Sequence, residues 1–238
     1  MCEISLGKAN FVDAAVEQSH LCFCSEFINA DMFSGSLCHD EIMSLVRPEC
    51  FLACVFCSRL TDSETVIVYG AEKVADRTGY GASIRFQNLT EAIPAPTAVV
   101  DGAVVAANSV VFIDASPRTS GRSQFLADFD RDLAKATIGM IASAPPGVSI
   151  ACGHWVAGHA GSNMQVKFIQ QVLAASMAGR PLVYYPFGQE ISLGIEALLP
   201  ALDRMTIADL YLNYLDIIDR SGSNLTNLDV FGCLIDEY

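Results

Sequence analysis

The chain has 238 residues, 52% of them apolar, and a formal charge of −13 from 14 basic and 27 acidic side chains. That length is enough for one large domain or two small ones with a real core. The acidic balance excludes a general nucleic-acid binder, which needs a basic face to neutralise phosphates, and no direct DNA binding is expected. A pocket for a small phosphorylated ligand stays open, because backbone N–H groups and a helix N-terminus hold a diphosphate without Lys or Arg.

The mean hydropathy of +0.36 is high for a soluble chain, yet no apolar run is long enough to span a bilayer. The longest, around Ala98 to Val111, is broken by Asp101, Gly102 and Asn108. Glu3 and Lys8 stand near the start with no long apolar stretch, so no signal peptide is read. The expectation is an intracellular protein, cytoplasmic or nuclear, with no membrane partner, unless the chain is a piece of a longer one.

In chain order, residues 2–5 read as an edge strand and 20–24 as a second. Residues 29–38 are a loop of small residues, and Asp40 to Val46 a short helix whose first-turn acids favour its dipole. The continuous apolar run 49–57 predicts a strand buried on both faces. Residues 64–70 and 79–86 predict two more strands. Residues 87–107, punctuated by Pro94, Pro96 and Asp101-Gly102, predict a loop and a hairpin.

Residues 109–115 read as a buried strand and 116–122 as a polar loop. Phe125, Phe129, Leu133, Ile138 and Ile141 give 124–144 a helical spacing that stops before Pro145-Pro146-Gly147. A strand (148–152), a glycine-rich loop (153–162) and an amphipathic helix (163–177) carrying Val166, Ile169, Val172 and Leu173 form one unit. A strand over 181–187 and helices at about 190–201 and 206–219 follow. Strands alternating with helices in the second half, after several adjacent strands in the first, imply an α/β/α sandwich on a mixed sheet.

Two loops, 28–38 and 153–162, lie where strands end and helices begin, the place where open α/β sheets bind ligands. The first brings backbone N–H groups and the acids Asp40 and Glu41 to one ligand position. Two acids opening a helix are by themselves solvated dipole partners, and a lone tryptophan, Trp155, reads as packing. His154 and His159 have no convergent carboxylate or cysteine at ligand spacing, so no metal and no cofactor is expected.

Nine cysteines, at 2, 22, 24, 38, 50, 54, 57, 152 and 233, sit mostly in apolar segments and read as reduced, buried small hydrophobes. Cys54-x-x-Cys57 lacks a second pair.

In these segments the chain resembles the catalytic macrodomain of poly(ADP-ribose) glycohydrolases. There the opening segment runs Val-Asp-Phe-Ala-Asn-x-x-x-Gly-Gly-Gly, then seven residues, then Gln-Glu-Glu-Ile. Leu21-Cys22-Phe23-Cys24-Ser25 through His39-Asp40-Glu41-Ile42 falls into that spacing with no gap. Thr78-Gly79-Tyr80, Phe112-Ile113-Asp114-Ala115, Gly153-His154-Trp155 with Gly158 and Gly161, and Leu182 to Gly188 are similar to later segments of the family in the same order. The resemblance is clearest over 20–215 and implies a single macrodomain-like α/β/α sandwich with a central mixed sheet over 1–238, without the family's helical accessory region.

The resemblance also implies roles. Glu41 stands at the catalytic acid/base and Asp40 at the Glu that holds ribose hydroxyls, one methylene shorter. Ligand contacts fall on Asn29, Ala30 and Asp31 (in place of the three glycines), His39 (in place of Gln), Tyr80 as the adenine-stacking aromatic, Gly153, Trp155, Gly158, Ala160 (in place of Phe) and Gly161. The implied partner is ADP-ribose or poly(ADP-ribose) on modified proteins. Two function classes follow: a hydrolase of ribose–ribose bonds, or a relative that binds ADP-ribose or a protein without turnover.

Overall fold

The structure is a computed structural model. It describes residues 1–8, 19–35, 37–93, 97–100, 103–106, 108–114, 122–144, 147–155, 163–186, 189–221 and 228–237. Its central sheet is built from β1 (Ile4–Leu6), β2 (Ser19–Cys24), β3 (Val66–Tyr69), β8 (Ser109–Asp114), β9 (Ile150–Cys152) and β10 (Leu182–Tyr184). The order is β1-β10-β9-β2-β8-β3. β3 runs antiparallel to β8 and the other pairs are parallel. A mixed sheet with helices on both faces is the expected architecture.

β2 and β8 are buried at every position, which is why their middles, 21–24 and 110–113, read as continuous apolar runs rather than alternating ones; Ser19, His20, Ser109 and Asp114 are the buried polar residues at their ends. Side chains alternate between two cores. Leu21, Phe23, Val111 and Ile113 face α3 (Arg122–Ala142), α4 (Met164–Met177), α5 (Gln189–Leu202), α6 (Ile207–Ser221) and α7 (Val230–Asp236). Cys22, Cys24, Val110 and Phe112 face α1 (His39–Val46) and the short α2 (Leu52–Phe56). Two antiparallel ribbons stand outside the main sheet, β4 (Lys73–Thr78) with β5 (Arg85–Ile93) and β6 (Thr97–Val100) with β7 (Ala103–Ala106).

Several expectations need correction. The run 49–57 is not a strand. It is a 3-10 turn over Pro48–Phe51 followed by α2, with Pro48 at a first-turn position where its missing N–H costs nothing. Short apolar runs do not separate helix from strand by pattern. Here Cys50 and Ala53 face the core while Val55 and Phe56 are exposed, a helical spacing. Residues 79–86 are not one strand either: a 3-10 turn fills Gly81–Ser83 and β5 begins at Arg85. β4, rich in charge, and α7 were not anticipated.

In α3 the buried stripe is Phe129, Leu133, Ala136 and Met140, while Ile138 and Ile141 are exposed. Gly139 lies against the sheet, where a Cβ would fall 2.6 Å from Val111 Cγ1. The four anticipated positions of α4 are all buried. All nine cysteines are free, and Cys38 and Cys54 are exposed rather than buried. Among the described residues no helix is long and apolar enough to cross a membrane. The polar loop 116–122 lies, all but Arg122, outside the described residues.

Candidate functional site

β2 leads into α1 on one face of the sheet, and the neighbouring β9 leads toward α4 on the other. Connections that leave adjacent strands to opposite faces open a crevice at the strands' carboxyl ends. The loop Ser25–Cys38 and the segment Gly153–Trp155 both start there.

The first loop is built from small local bonds. Ser25 Oγ accepts from the Phe27 N–H at 3.2 Å and donates to the Phe27 carbonyl at 2.7 Å. Ala30, Met32 and Ser34 donate their N–H groups to the carbonyls of Phe27, Asn29 and Asp31. Asn29 and Leu37 take left-handed backbones, φ 59° and 45°, and Gly35 has φ 84°. Asparagine tolerates that region as glycine does, so the backbone turn survives at Asn29 without glycine.

Asp40 and Glu41 occupy the first turn of α1, 4% and 2% exposed. The loop's amides meet them. Asn29 N–H donates to Asp40 Oδ2 at 2.8 Å, Asp31 N–H to Glu41 Oε1 at 3.2 Å, and Cys38 N–H to Glu41 Oε2 at 2.7 Å. The last bond is the return half of a capping box, with Glu41 at the third helical position. Sequence reasoning placed these amides toward a ligand; in the structure they hold the chain's own carboxylates. Burial, and then the charge of Glu41, push the Asp40 carboxyl up to about 7.

An aromatic wall runs from the first loop to the second. The His39 and Tyr80 rings meet edge-on at 5.6 Å, His39 lies 6.5 Å from Phe23, and Phe23 stacks on Trp155 at 5.0 Å. Burial first, then Arg77 and His154, push the His39 imidazole down to about 3, so the ring is neutral. Burial and the nearby acids raise the Tyr80 phenol. Tyr80 is presented on a tight turn: Ser83 Oγ accepts from its N–H and donates to its carbonyl. Gly79 before it has φ 74°, where a Cβ would sit 2.4 Å from the Ser83 carbonyl oxygen.

On the second loop, Trp155 is wholly buried, with Lys167 Nζ 4.5 Å from its ring centre. Gly153 is buried, and its carbonyl accepts from Gln171 Nε2 at 3.3 Å. His154 Nδ1 is 2.8 Å from the Tyr184 hydroxyl. Gly158, Ala160, Gly161 and His159 lie outside the described residues. Ala30 and Asp31 are exposed on the first loop. Cys22, in place of the Asp of the opening segment that the chain resembles, is completely buried.

The structure thus gathers Asn29, Asp31, His39, Asp40, Glu41, Tyr80 and Trp155 around one end of the sheet. Sequence reasoning missed Phe23, the ring that joins the two loops. Strand alternation puts it on the Leu21 side, but only packing reveals its partners. It also missed Ser44, whose hydroxyl donates to Asn29 Oδ1 at 2.9 Å. Its signal is the spacing of four from Asp40 on one helix face. Among the described residues no group of three or more His, Cys, Asp or Glu is placed to hold a metal ion.

A family model described as "Poly (ADP-ribose) glycohydrolase (PARG), Macro domain fold" matches residues 1–192. Poly(ADP-ribose) glycohydrolase 1 of Caenorhabditis elegans is 26% identical over 235 residues, covering 92% of this chain and 30% of that protein. The probable poly(ADP-ribose) glycohydrolase 2 of Arabidopsis thaliana is 23% identical over 280 residues, covering 99% and 52%. Poly(ADP-ribose) glycohydrolase 2 of Caenorhabditis elegans is 26% identical over 193 residues, covering 75% and 40%. The chain therefore spans 30% to 52% of the length of these relatives. The match over 1–192, together with a mixed sheet that carries two buried acids at its carboxyl edge, places the chain in the poly(ADP-ribose) glycohydrolase family with the macro-domain fold.

Proposed function

We propose that the protein hydrolyses ribose–ribose O-glycosidic bonds in ADP-ribose polymers, with Glu41 as general acid and base. The observation that carries this reading is the pair of adjacent buried carboxylates, Asp40 and Glu41, at the head of α1 and the edge of the crevice. Protonated Glu41 gives its proton to the departing ribose oxygen as the glycosidic bond breaks. The resulting carboxylate takes a proton from water as the water oxygen bonds to the anomeric carbon. Asp40 holds ribose hydroxyls, Tyr80 stacks on adenine, and the loops 29–38 and 153–161 take the diphosphate and distal ribose. Trp155, having no exposed surface, supports the wall through Phe23.

A second reading, ADP-ribose binding without turnover, also has an observation behind it. Both oxygens of Glu41 are engaged by loop amides, and N–H donors favour the carboxylate over the acid that must protonate a leaving group. One experiment separates the two. ADP-ribose is titrated into the protein by calorimetry, and the protein is then incubated with auto-modified ADP-ribose polymerase. Binding plus polymer loss that disappears in Glu41→Gln supports hydrolysis. Binding with intact polymer supports the second reading, and no binding at about millimolar ligand, ~4 kcal/mol of affinity or less, sinks both.

A further inference from the structure

Building on the proposed ADP-ribose site, we infer that Asn29 is a positioning residue: its left-handed backbone aims Asp40, and Ser44 locks that backbone in place. α1 sets Asp40 and Ser44 four residues apart, on one face and one turn from each other. Asn29 spans both. Its N–H donates to Asp40 Oδ2 at 2.8 Å, and its Oδ1 accepts from Ser44 Oγ at 2.9 Å. Asn29 is 8% exposed and Ser44 is fully buried, so water does not compete for either bond.

The φ of 59° at Asn29 gives the bonds their direction. A reversal at this one residue lets its own N–H face Asp40 while that of Asp31, two residues on, faces Glu41. The N–H between them, on Ala30, turns away to the Phe27 carbonyl, so the two flanking N–H groups alone meet the two carboxylates. Glycine at this position supplies the turn but no side chain for Ser44. Asparagine supplies both. Alanine supplies neither, and its left-handed penalty corresponds to about a tenfold loss of the correct loop.

The test is an NMR titration of the Asp40 side-chain carboxyl in the unliganded protein. Asp40 is also faced by Glu41 on α1, Cys22 and Cys24 on β2, and Tyr80 on its turn. All of these stay unchanged in the variants. An N–H bonded to a carboxylate favours the charged form, so withdrawing it moves the midpoint up. Asn29→Ala is expected to raise the midpoint most. Asn29→Gly and Ser44→Ala raise it slightly, and the double variant Asn29→Gly/Ser44→Ala raises it no further than Asn29→Gly alone. A shift in Asn29→Gly as large as in Asn29→Ala, or none in Asn29→Ala, overturns the assignment. Should Asn29→Ala not fold, the double variant decides: additive shifts show that Ser44 does not act through Asn29. Calorimetry with ADP-ribose follows, with about a tenfold weaker affinity expected for Asn29→Ala. If the wild type does not bind ADP-ribose, the ligand reading fails, while the carboxyl titration still decides the role of Asn29.

Discussion

The backbone N–H of Asp31 lies 3.2 Å from Oε1 of Glu41, while the Asp31 residue itself is exposed. The loop acid is therefore tied to the candidate catalytic carboxylate by its main chain, and its charge stands on the solvent side of the loop. Asp31 occupies a position that is glycine in the family this chain resembles. On the proposed function, its charge would oppose an incoming diphosphate from a screened location.

Removing that charge should tighten binding modestly. Asp31→Gly is expected to improve ADP-ribose affinity by about threefold, the scale of a solvated charge pair several ångströms apart. The gain should shrink as salt is raised, because exposed charges are screened beyond about 10 Å at 0.1 M ionic strength. Calorimetry at two salt concentrations measures it. An affinity equal to wild type at low salt would remove the electrostatic explanation.

Under the proposed function Glu41 has two jobs, as acid/base and as acceptor of the loop amides, and one substitution touches both. Glu41→Gln is expected to lower polymer hydrolysis by about 10²–10⁴ through loss of the acid/base group. It also sets an amide NH₂ against one of the loop N–H donors that now meet a carboxylate oxygen. Loss of a charge-assisted bond costs about 1.5–3 kcal/mol, so urea denaturation should register that destabilisation. A variant as stable as wild type would mean that the two amides do not brace the loop in solution.

Two titrating groups at the site act on stability in opposite directions. Asp40 titrates near 3.9 in an unfolded chain and is pushed up to about 7 by burial and Glu41. Between those values the folded state keeps a proton the unfolded chain has lost, so stability falls as pH rises from about 4 to about 7. His39 titrates near 6.5 unfolded and is pushed down to about 3 by burial, Arg77 and His154. Its contribution is lost as pH falls from about 6.5 toward 3. The slopes offset each other over about pH 4–6.5. His39→Gln should therefore leave a stability that declines from about pH 4 to 7, and Asp40→Asn one that rises from about pH 3 to 6.5. Denaturation at about pH 5, 6 and 8 tests both, and equal pH profiles for the two variants would contradict the assignment.

Trp155 is the only tryptophan and reports on the second loop. Lys167 Nζ lies over its ring and 2.5 Å from Asp132 Oδ2. Lys167→Ala removes both contacts, but Arg131 Nη2 still holds Asp132 at 2.6 Å. The expected loss is therefore about 1–3 kcal/mol, below the 3–5 of a buried charge left with no partner. Trp155 emission should shift to the red as water reaches the indole. Unchanged emission would show that Lys167 does not seal the ring.

Much of the frame was legible in the chain. β2, β8 and β9 are buried on both faces of the sheet, and such strands are apolar on both sides through their middles, so they announce themselves. α4 carries its buried stripe at helical spacing, and Asp40 and Glu41 are adjacent whatever the rest of the chain does. The run 49–57 misled because its eight consecutive apolar residues, 50–57, have no period of their own, and its helical spacing is visible only in which side chains reach the core.

What the tertiary structure decided is the part that bears on chemistry. A loop of small residues has no pattern that fixes where its N–H groups point. Their targets, Asp40 and Glu41, are set by the packing of α1 on Cys22, Cys24 and Phe112. The resemblance marks Asn29 as the residue standing in place of a glycine. Only its dihedral angle and its bond to Ser44 give that substitution a physical meaning. Phe23, Trp155, His39 and Tyr80 come from four separate segments, and their stacking depends on strands pairing across the sheet. Residue identity sets what each group can do; the distances between groups far apart in the chain follow from the closed core, which no local stretch of sequence contains.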